Sequence, residues 1–483
     1  MRSPVLYVYL LASSFLLFSF QVKENPGAST PTPPNVIFIL ADDLGYGDLG
    51  FLGQQHMLTP ALDRLASQGM RFSQHYSGAP VCAPSRSTLL TGLHSGHTPI
   101  RGNFEIQPEG QYPMPDTLLT LGKIFQQAGY RTAAFGKWGL GFVGTTGDPS
   151  NQGFDHFFGY NCQRYAHRYY PAYLWENQQQ VPLPGNDWST KTTFAPDLIH
   201  QKSLEFMEAN QHQPFFLFLP LVMPHAELAV PEDETFQYYR TKFGEETPHT
   251  APPREDYGPE MLIPGYQSQP YPRATFAAMV ARIDRYVGDI MSKLEDLGIS
   301  ENTLVIFTSD NGAHREGGAD PLFFDSNGPF RGFKRDLYEG GIHVPLVAHW
   351  PGKIKSGSQS SYVAAFWDWL PTLAEAIGAA SPAGIDGISF LPTLLDTGQQ
   401  QLPDHLYWEF HESGGRQALR KGDWKLVKYQ VQDATKTTVE LFDLAKDPAE
   451  QTNVALNHPA LVAELEGLMQ KAHRPNPIFR QLD

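Results

Sequence analysis

The stretch NVIFILADD, residues 35–43, is a short apolar run rich in β-branched residues that ends in two carboxylates. Four more short apolar runs follow it: YRTAAFG at 130–136, FFLFLP at 215–220, TLVIFTS at 303–309 and HVPLVAHW at 343–350. Helix-like segments separate these runs, and in the longest, 274–298, apolar residues recur at helical spacing. This alternation predicts an α/β fold with a large, mostly parallel central sheet flanked by helices.

The N-terminus has the pattern of an export signal. Arg2 is followed by an uncharged apolar run at 5–20 and then by polar, proline-rich sequence up to Pro34. We assign residues 1–27 to a signal peptide without a clear cleavage site, and residues 28–34 to a linker. Because the run is short for a membrane span of about 20 residues, we expect an exported, periplasmic or secreted protein without stable membrane insertion. A retained N-terminal anchor is the alternative.

Length and charge narrow the class of protein further. The roughly 450 residues after the linker exceed what one hydrophobic core usually organises, so we expect an α/β domain at 35–400 and a smaller C-terminal α+β domain at 401–483. The formal net charge of -15 argues against nucleic acid as a partner, because binding the phosphate backbone needs a basic surface. The sequence has no Asn-x-Ser/Thr triplet, which favours a bacterial envelope over a eukaryotic secretory route.

Polar residues follow the predicted strands, where open parallel sheets bind their ligands, beyond the carboxyl ends of the strands. Asp42 and Asp43 follow the first run, and Asp310 and Asn311 follow TLVIFTS. These hard oxygen donors suit Ca²⁺ or Mg²⁺, although adjacent aspartates also serve as helix or turn caps. The remaining strand-end candidates are Lys137 and His225.

The stretch VCAPSRSTLLTG, residues 81–92, places one of only two cysteines beside a proline at the start of a predicted helix. In an exported protein two cysteines most simply form a disulfide, here Cys82 with Cys162. The local sequence favours another role for Cys82. Pro84 suits the first turn of a helix, and a helix N-terminus attracts anions. Arg86 adds a guanidinium suited to a tetrahedral oxyanion.

The run C-A-P-S-R followed by S-T-L-L-T-G resembles the signature of the type I sulfatases, in the alkaline phosphatase superfamily. The resemblance extends over nearly the whole mature chain, through NVIFILADDLGYGDLG, TSDNG, GPFRGFKRDLYEGG and ELFDLAKDPAEQTN. It implies an alkaline phosphatase-like fold and a catalytic role for the larger domain. It also implies that a formylglycine-generating or anaerobic maturation enzyme converts Cys82 to formylglycine (3-oxoalanine).

The resemblance further implies hydrolysis of sulfate monoesters. One hydroxyl of the hydrated aldehyde would attack sulfur, and the other would expel the sulfate. A divalent cation, Ca²⁺ or alternatively Mg²⁺, would be held by Asp42, Asp43, Asp310 and Asn311 together with residue 82. The implied residues around the sulfate are Arg86, Lys137, His225 and Lys334. Of these, Lys334 with His225 would protonate the leaving oxygen.

One position departs from the family pattern. Many sulfatases have G-K-W-H where this chain has Gly136, Lys137, Trp138 and Gly139. The histidine thought to take a proton from the formylglycine hydrate is therefore absent there. His314 and His167 are the candidates to replace it, and transfer of the proton to water is the alternative.

An aromatic-rich loop at 160–177 follows this position along the chain. Its rings are suited to stacking on a sugar or aryl ring, and packing of the same rings onto the core is the alternative. The predicted substrate-binding residues are His167, Tyr169, Tyr170, Trp175 and His314. Because exported proteins with aromatic-rich pockets commonly meet sugars, a sulfated saccharide is preferred over a small aryl sulfate. Cys162, in the same loop, is expected to be a free or buried thiol.

Two alternatives to a sulfatase remain open at this point. A phosphate or phosphonate monoester hydrolase on the same scaffold would use the same cations. A non-catalytic, exported glycan-binding protein would leave Cys82 unmodified or would lack the metal.

Overall fold

The computed structural model describes residues 1, 33–107, 109–187, 190–251, 266–480 and 482. The strands are β1 Asn35–Asp42, β2 Met70–Phe72, β3 His75–Tyr76, β4 Glu105–Ile106, β5 Gly110–Gln111, β6 Arg131–Lys137, β7 His156–Tyr160, β8 Tyr173–Glu176, β9 Gln179–Pro182, β10 Phe215–Pro224, β11 Thr303–Ser309, β12 Leu346–His349, β13 Ser358–Ser360, β14 Ala364–Ala365, β15 Leu406–Phe410, β16 Arg416–Lys421, β17 Trp424–Tyr429 and β18 Thr438–Asp443. The helices are α1 Pro60–Gln68, α2 Cys82–Thr91, α3 Leu121–Gln127, α4 Ala195–Ala209, α5 Glu234–Phe243, α6 Pro272–Asp296, α7 Pro321–Phe324, α8 Glu339–Ile342, α9 Trp369–Ala376, α10 Leu391–Leu395 and α11 Pro459–Ala472.

A ten-stranded mixed sheet forms the centre of the fold, in the order β13-β2-β12-β11-β1-β10-β6-β7-β8-β9. Five neighbouring strands within it, in the order β11-β1-β10-β6-β7, run parallel to one another. All five apolar runs predicted as strands lie in this sheet. The last of them, β12, is antiparallel to β11, because the chain re-enters the sheet beside the end of β11, where Thr308 pairs with Leu346.

Both faces of the sheet are covered by helices. Along β1 the buried side chains alternate between the two cores, with Ile37 and Ile39 on one face and Phe38 and Leu40 on the other. Helices α1, α4 and α6 pack on the first face, and α2, α3, α9 and α10 pack on the second. A strand that is buried on both faces must be apolar throughout, which explains the continuous apolar run at 36–41.

A small antiparallel sheet follows near the C-terminus, in the order β15-β16-β17-β18. Trp408 and Val427 face the main body of the protein, while Leu419 and Leu426 face α11. Of the four strands, β16 has no clear apolar run in the sequence. The structure thus has a large mixed sheet flanked by helices and a small C-terminal antiparallel sheet.

The predicted signal peptide lies outside the described residues, apart from Met1, as does the predicted linker up to residue 32. Within the described part of the chain, no helix combines the length and the apolar character needed to cross a membrane.

Candidate functional site

The carboxyl ends of four neighbouring parallel strands bring the predicted polar residues together. Strand β1 lies between β11 and β10, and β6 lies on the other side of β10. Asp42 is therefore flanked by Asp310, which follows β11, and by His225, which follows β10. Lys137, the last residue of β6, lies 2.6 Å from Asp42 through its Nζ atom. All four side chains are buried.

Cys82 is the first residue of α2 and lies directly against this cluster. Its Sγ atom is 3.3 Å from Asp42 Oδ1 and 3.4 Å from Lys137 Nζ. Burial, followed by the charge of Asp42, raises the pKa of the Cys82 thiol well above its usual range. A thiol in this environment is held neutral, so the unmodified side chain is a poor nucleophile.

Both cysteines are free and buried, so the disulfide between Cys82 and Cys162 that the cysteine count allowed is not formed. The Sγ atom of Cys162 instead accepts a hydrogen bond from the backbone of Tyr165, as expected of a buried thiol.

Arg86 connects the helix to the strand ends. Its Nε and Nη2 atoms donate to Asp310 Oδ2 at 3.1 and 2.9 Å, and Nη2 lies 3.2 Å from Asp42 Oδ2. Nη1 donates to the carbonyl of Lys137. A guanidinium fixed at all three nitrogens positions the first turn of α2, including residue 82, over the carboxylates.

Lys334 and His225 form a second group of polar contacts on the far side of Asp43. Lys334 Nζ lies 2.7 Å from Asp43 Oδ2 and 2.9 Å from His225 Nε2. Burial lowers the pKa of His225 well below its usual range, and the charge of Lys334 adds to this. Burial opposes the charge of Lys334, but Asp43 and Glu316 hold its pKa well above the usual value. Lys334 is therefore the donor and neutral His225 the acceptor.

The residues at the strand ends fit a divalent cation. Asp42, Asp43, Cys82 and His225 each offer one ligand atom, and these atoms lie within 4.8 Å of one another. Asn311 donates to Asp43 Oδ1 at 2.7 Å, and its own Oδ1 is buried without a hydrogen-bond partner among the described residues. Burial and the neighbouring charge of Asp42 raise the pKa of Asp310 to about 7. Crowded buried carboxylates with a spare amide oxygen form a donor set typical of Ca²⁺ or Mg²⁺ sites.

The two candidate replacement bases occupy different positions. The His167 ring stacks on His225 with ring centroids 4.5 Å apart and is partly exposed. His314 is buried, with Nε2 donating to Pro224 O at 3.1 Å and Nδ1 accepting from the backbone of Glu316 at 3.2 Å. Both ring nitrogens of His314 are therefore engaged by backbone groups. His167 lies at the site.

The aromatic loop is split between core and surface. Tyr169 is fully buried, and its hydroxyl donates to the carbonyls of Val222 and His225. It supports the His225 loop instead of lining a pocket wall. Tyr170 lines a cavity of about 450 Å³. Trp175 lies in β8, and its Nε1 atom donates to Glu109 Oε1 at 2.7 Å. Tyr169, Tyr170 and Trp175 therefore do not line one common surface.

Gly139 leaves no room for the missing histidine. It has a φ of +73°, and a Cβ atom built there would lie 2.5 Å from Cγ of Gln163. Gln163 Nε2 donates to Asn103 Oδ1 at 3.2 Å, and the same oxygen accepts from the backbone N–H of Ala83 at 3.2 Å. An amide pair therefore occupies the space beside the start of α2.

Sequence reasoning missed these two amides and three residues around Lys334, namely Glu316, Arg335 and Tyr266. Glu316 accepts from Lys334 at 3.2 Å, from Tyr266 at 2.9 Å, and from Arg335. Its place two residues after His314, in the loop that follows β11, was the available signal. Gln163 had no such signal, because its position depends on the path of a loop.

Comparisons with known proteins agree with this geometry. A family model described as Sulfatase matches residues 34–379. A second model, described as N-sulphoglucosamine sulphohydrolase, C-terminal, matches residues 328–474. Together the two models cover both the strand-end cluster and the small C-terminal sheet.

Individual relatives point the same way. The chain is 33% identical to N-acetylgalactosamine-6-sulfatase of Canis lupus familiaris, over 79% of this chain and 69% of the relative. It is 31% identical to arylsulfatase A of Homo sapiens, over 89% of this chain and 84% of the relative. The crystal structure of Ps i-CgsB in complex with k-i-k-neocarrahexaose superimposes with a TM-score of 0.75 at 26% identity, covering 94% of both chains. The chain belongs to the sulfatase family, within the alkaline phosphatase superfamily, and is a sulfuric ester hydrolase.

Proposed function

We propose that this sulfatase hydrolyses sulfate monoesters of a saccharide, with residue 82 converted to formylglycine and a divalent cation, Ca²⁺ or Mg²⁺, at the strand ends. The observation that carries the proposal is the position of Cys82. It is a free, buried side chain at a helix N-terminus, in contact with both Asp42 and Lys137. The cation would be held by Asp42, Asp43, Asp310 and Asn311 beside residue 82.

Formylglycine and the cation would each have a defined chemical role. A hydrated formylglycine supplies two hydroxyls on one carbon, and the cation supplies positive charge beside them. This pairing suits a reaction in which one oxygen attacks sulfur and the other allows the sulfate to leave.

The cationic side chains bind and orient the sulfate. Arg86, Lys137 and Lys334 are buried and fixed by carboxylates before any substrate arrives. Preorganised positive charge of this kind stabilises the charge that develops on sulfate oxygens without reorganisation cost. Arg86 also fixes residue 82, because it ties α2 to Asp310.

Lys334 and His225 hold the proton for the leaving oxygen. Lys334 is charged, and its Nζ atom donates to His225 Nε2 at 2.9 Å. The ammonium group of Lys334 therefore holds a proton next to His225. Sugar alcohols are poor leaving groups, and protonation of the departing oxygen is worth about 10²- to 10⁴-fold in rate. His167, stacked on His225, narrows the same side of the site.

The saccharide assignment rests on the relatives. One relative is named for N-acetylgalactosamine, and one structural neighbour is described in complex with k-i-k-neocarrahexaose. We further propose that the chain is exported through its N-terminal signal to a bacterial periplasm or the exterior, and that a maturation enzyme acts on Cys82 before or during export.

Peptide mass spectrometry tests the mechanism directly. Conversion of the thiol to the aldehyde lowers the mass of the peptide containing residue 82 by ~18 Da. The proposal expects this shift in active protein, and it expects loss of activity in Cys82→Ala but not in Cys162→Ser. An intact thiol in an active preparation would contradict the mechanism.

Substrate class is tested with a panel of sulfated monosaccharides, an aryl sulfate and an aryl phosphate. Faster turnover of the sulfated sugars supports the proposal. Preference for the aryl phosphate would favour the phosphate or phosphonate monoester hydrolase instead. An unmodified Cys82 or a missing cation, with no turnover of any ester, would favour the glycan-binding alternative.

A further inference from the structure

Glu316 is a carboxylate at the mouth of the site that the proposed mechanism does not use. It lies in the loop after β11, and its side chain is 16% exposed, whereas those of Lys334 and His225 are 3% and 2% exposed. It therefore lies between the buried charges and the solvent.

Four side chains converge on Glu316. Its Oε2 atom accepts from Lys334 Nζ at 3.2 Å and from the Tyr266 hydroxyl at 2.9 Å, and it lies 3.9 Å from His225 Nε2. Its Oε1 atom pairs with Arg335. Contacts on both oxygens fix the plane of the carboxylate, so Glu316 can hold Lys334 in one orientation.

The backbone of Glu316 is fixed as well. Its N–H donates to His314 Nδ1 at 3.2 Å, and His314 Nε2 donates to the carbonyl of Pro224 at 3.1 Å. Pro224 directly precedes His225. Glu316 is thus tied to the loop that carries His225 and to the loop that carries Lys334.

Cation binding would make the contact between Glu316 and Lys334 more important. Lys334 contacts two carboxylates, Asp43 at 2.7 Å and Glu316 at 3.2 Å. Asp43 belongs to the oxygen set that fits a divalent cation. Once Asp43 is committed to a cation, Glu316 is the carboxylate partner that still directs the ammonium group of Lys334 towards His225.

We propose that Glu316 is a positioning residue for the Lys334–His225 proton donor, and that this positioning enables the enzyme to cleave sulfate esters of weakly acidic alcohols such as sugars. The inference rests on the proposed function, because it assumes that the Lys334–His225 pair serves the leaving oxygen. It goes beyond that function by assigning a specificity for the leaving group to Glu316.

The test compares two substrates that differ in the acidity of the alcohol released. A nitrophenolate leaves without a proton, whereas a sugar alkoxide requires one. In Glu316→Gln we expect kcat/KM to fall about tenfold or more for a sulfated sugar and less than about threefold for 4-nitrophenyl sulfate. The loss should appear in kcat, since Glu316 is not expected to bind the substrate. The matched control is Glu246→Gln, another partly buried glutamate, which accepts from the backbone at the start of α6.

Further measurements separate the possible results. Glu316→Asp, which keeps the charge but shortens the side chain, should recover part of the sugar rate. Aldehyde content, Ca²⁺ affinity and the circular dichroism spectrum at the assay temperature should match the wild type. Equal losses on both substrates would overturn the inference, as would a fall in Ca²⁺ affinity, because Glu316 would then act as a structural group or a metal ligand. Absence of the aldehyde or of turnover in the wild type would instead overturn the proposed function.

Discussion

Restoring a side chain at position 139 should destabilise the protein, and Gln163 should determine by how much. The test perturbation is Gly139→Ala, which adds the smallest side chain, alone and combined with Gln163→Ala. Gly139 has a φ of +73°, and its added Cβ would lie 2.5 Å from Gln163 Cγ and 2.8 Å from Gln163 Cδ. Two separate costs are therefore expected, one from the backbone and one from the overlap.

The backbone cost follows from conformation alone. A non-glycine residue in the left-handed region costs about 1–2 kcal/mol. The overlap forces Gln163 to move and breaks its 3.2 Å hydrogen bond to Asn103, worth about 1 kcal/mol. We therefore expect Gly139→Ala to cost about 2–3 kcal/mol in the wild-type background and about 1–2 kcal/mol when residue 163 is alanine. The coupling between the two positions should be about 1 kcal/mol.

Thermal unfolding of all four variants measures this coupling. For a folded unit of this length the unfolding entropy gives a midpoint shift of about 1 °C per kcal/mol. Gly139→Ala should thus lower the midpoint by about 2–3 °C, and by about 1 °C less in the Gln163→Ala background. If Gly139→Ala lowers the midpoint equally with glutamine and with alanine at residue 163, Gln163 does not occupy the space beside Gly139. Gly139→His should also lower activity, because displacing Gln163 disturbs Asn103 and the first turn of α2.

Three further predictions concern charge. Chelation should abolish activity and lower the thermal midpoint, and added Ca²⁺ should restore both. Asp310→Asn should show a smaller response, because it replaces a charged carboxylate ligand by a neutral amide. Arg86→Lys keeps the charge but loses the fork that joins Asp310 to α2, so kcat should fall about 10²-fold or more. Burial would raise the pKa of Glu409, but His411 and Arg101 help to hold it at about 2. Because the pKa of Glu409 is lower in the folded than in the unfolded protein, its charged carboxylate stabilises the fold at pH values above the unfolded pKa of 4.5. This stabilisation is lost as the pH falls towards 2. Glu409→Gln should therefore remove about 3 kcal/mol at pH 7 and flatten the decline in thermal midpoint between about pH 5 and pH 3.

Each of these predictions has a clear counter-result. Full activity in chelator after exhaustive dialysis would exclude the cation, and an unchanged response in Asp310→Asn would remove that residue from the cation site. Near wild-type kcat in Arg86→Lys would show that charge suffices without the fork. A decline for Glu409→Gln as steep as that of the wild type would show that other carboxylates govern acid unfolding. Circular dichroism at pH 7 serves as the folding control for all three variants.

Part of the site could be predicted from the sequence, because the ends of strands are local features of the chain. Apolar runs define where β1 and β11 stop, so Asp42 and Asp310 could be assigned to one edge of the sheet before their partners were known. Pro84 and the residues after it likewise predicted a helix starting near Cys82. In each case the informative spacing spans fewer than about ten residues, within reach of pattern analysis.

The tertiary structure decided which of these residues meet and which do not. Lys334 and His225 are 109 residues apart, and no local pattern specifies their 2.9 Å contact. The same applies to Glu316, and to Gln163, which fills the space beside Gly139. Tyr169 looked like its aromatic neighbours in the sequence, yet packing places it in the core. Periodicity fixes which face and which end of an element a residue occupies, whereas the paths of long loops, closed by packing of the whole chain, fix its partners.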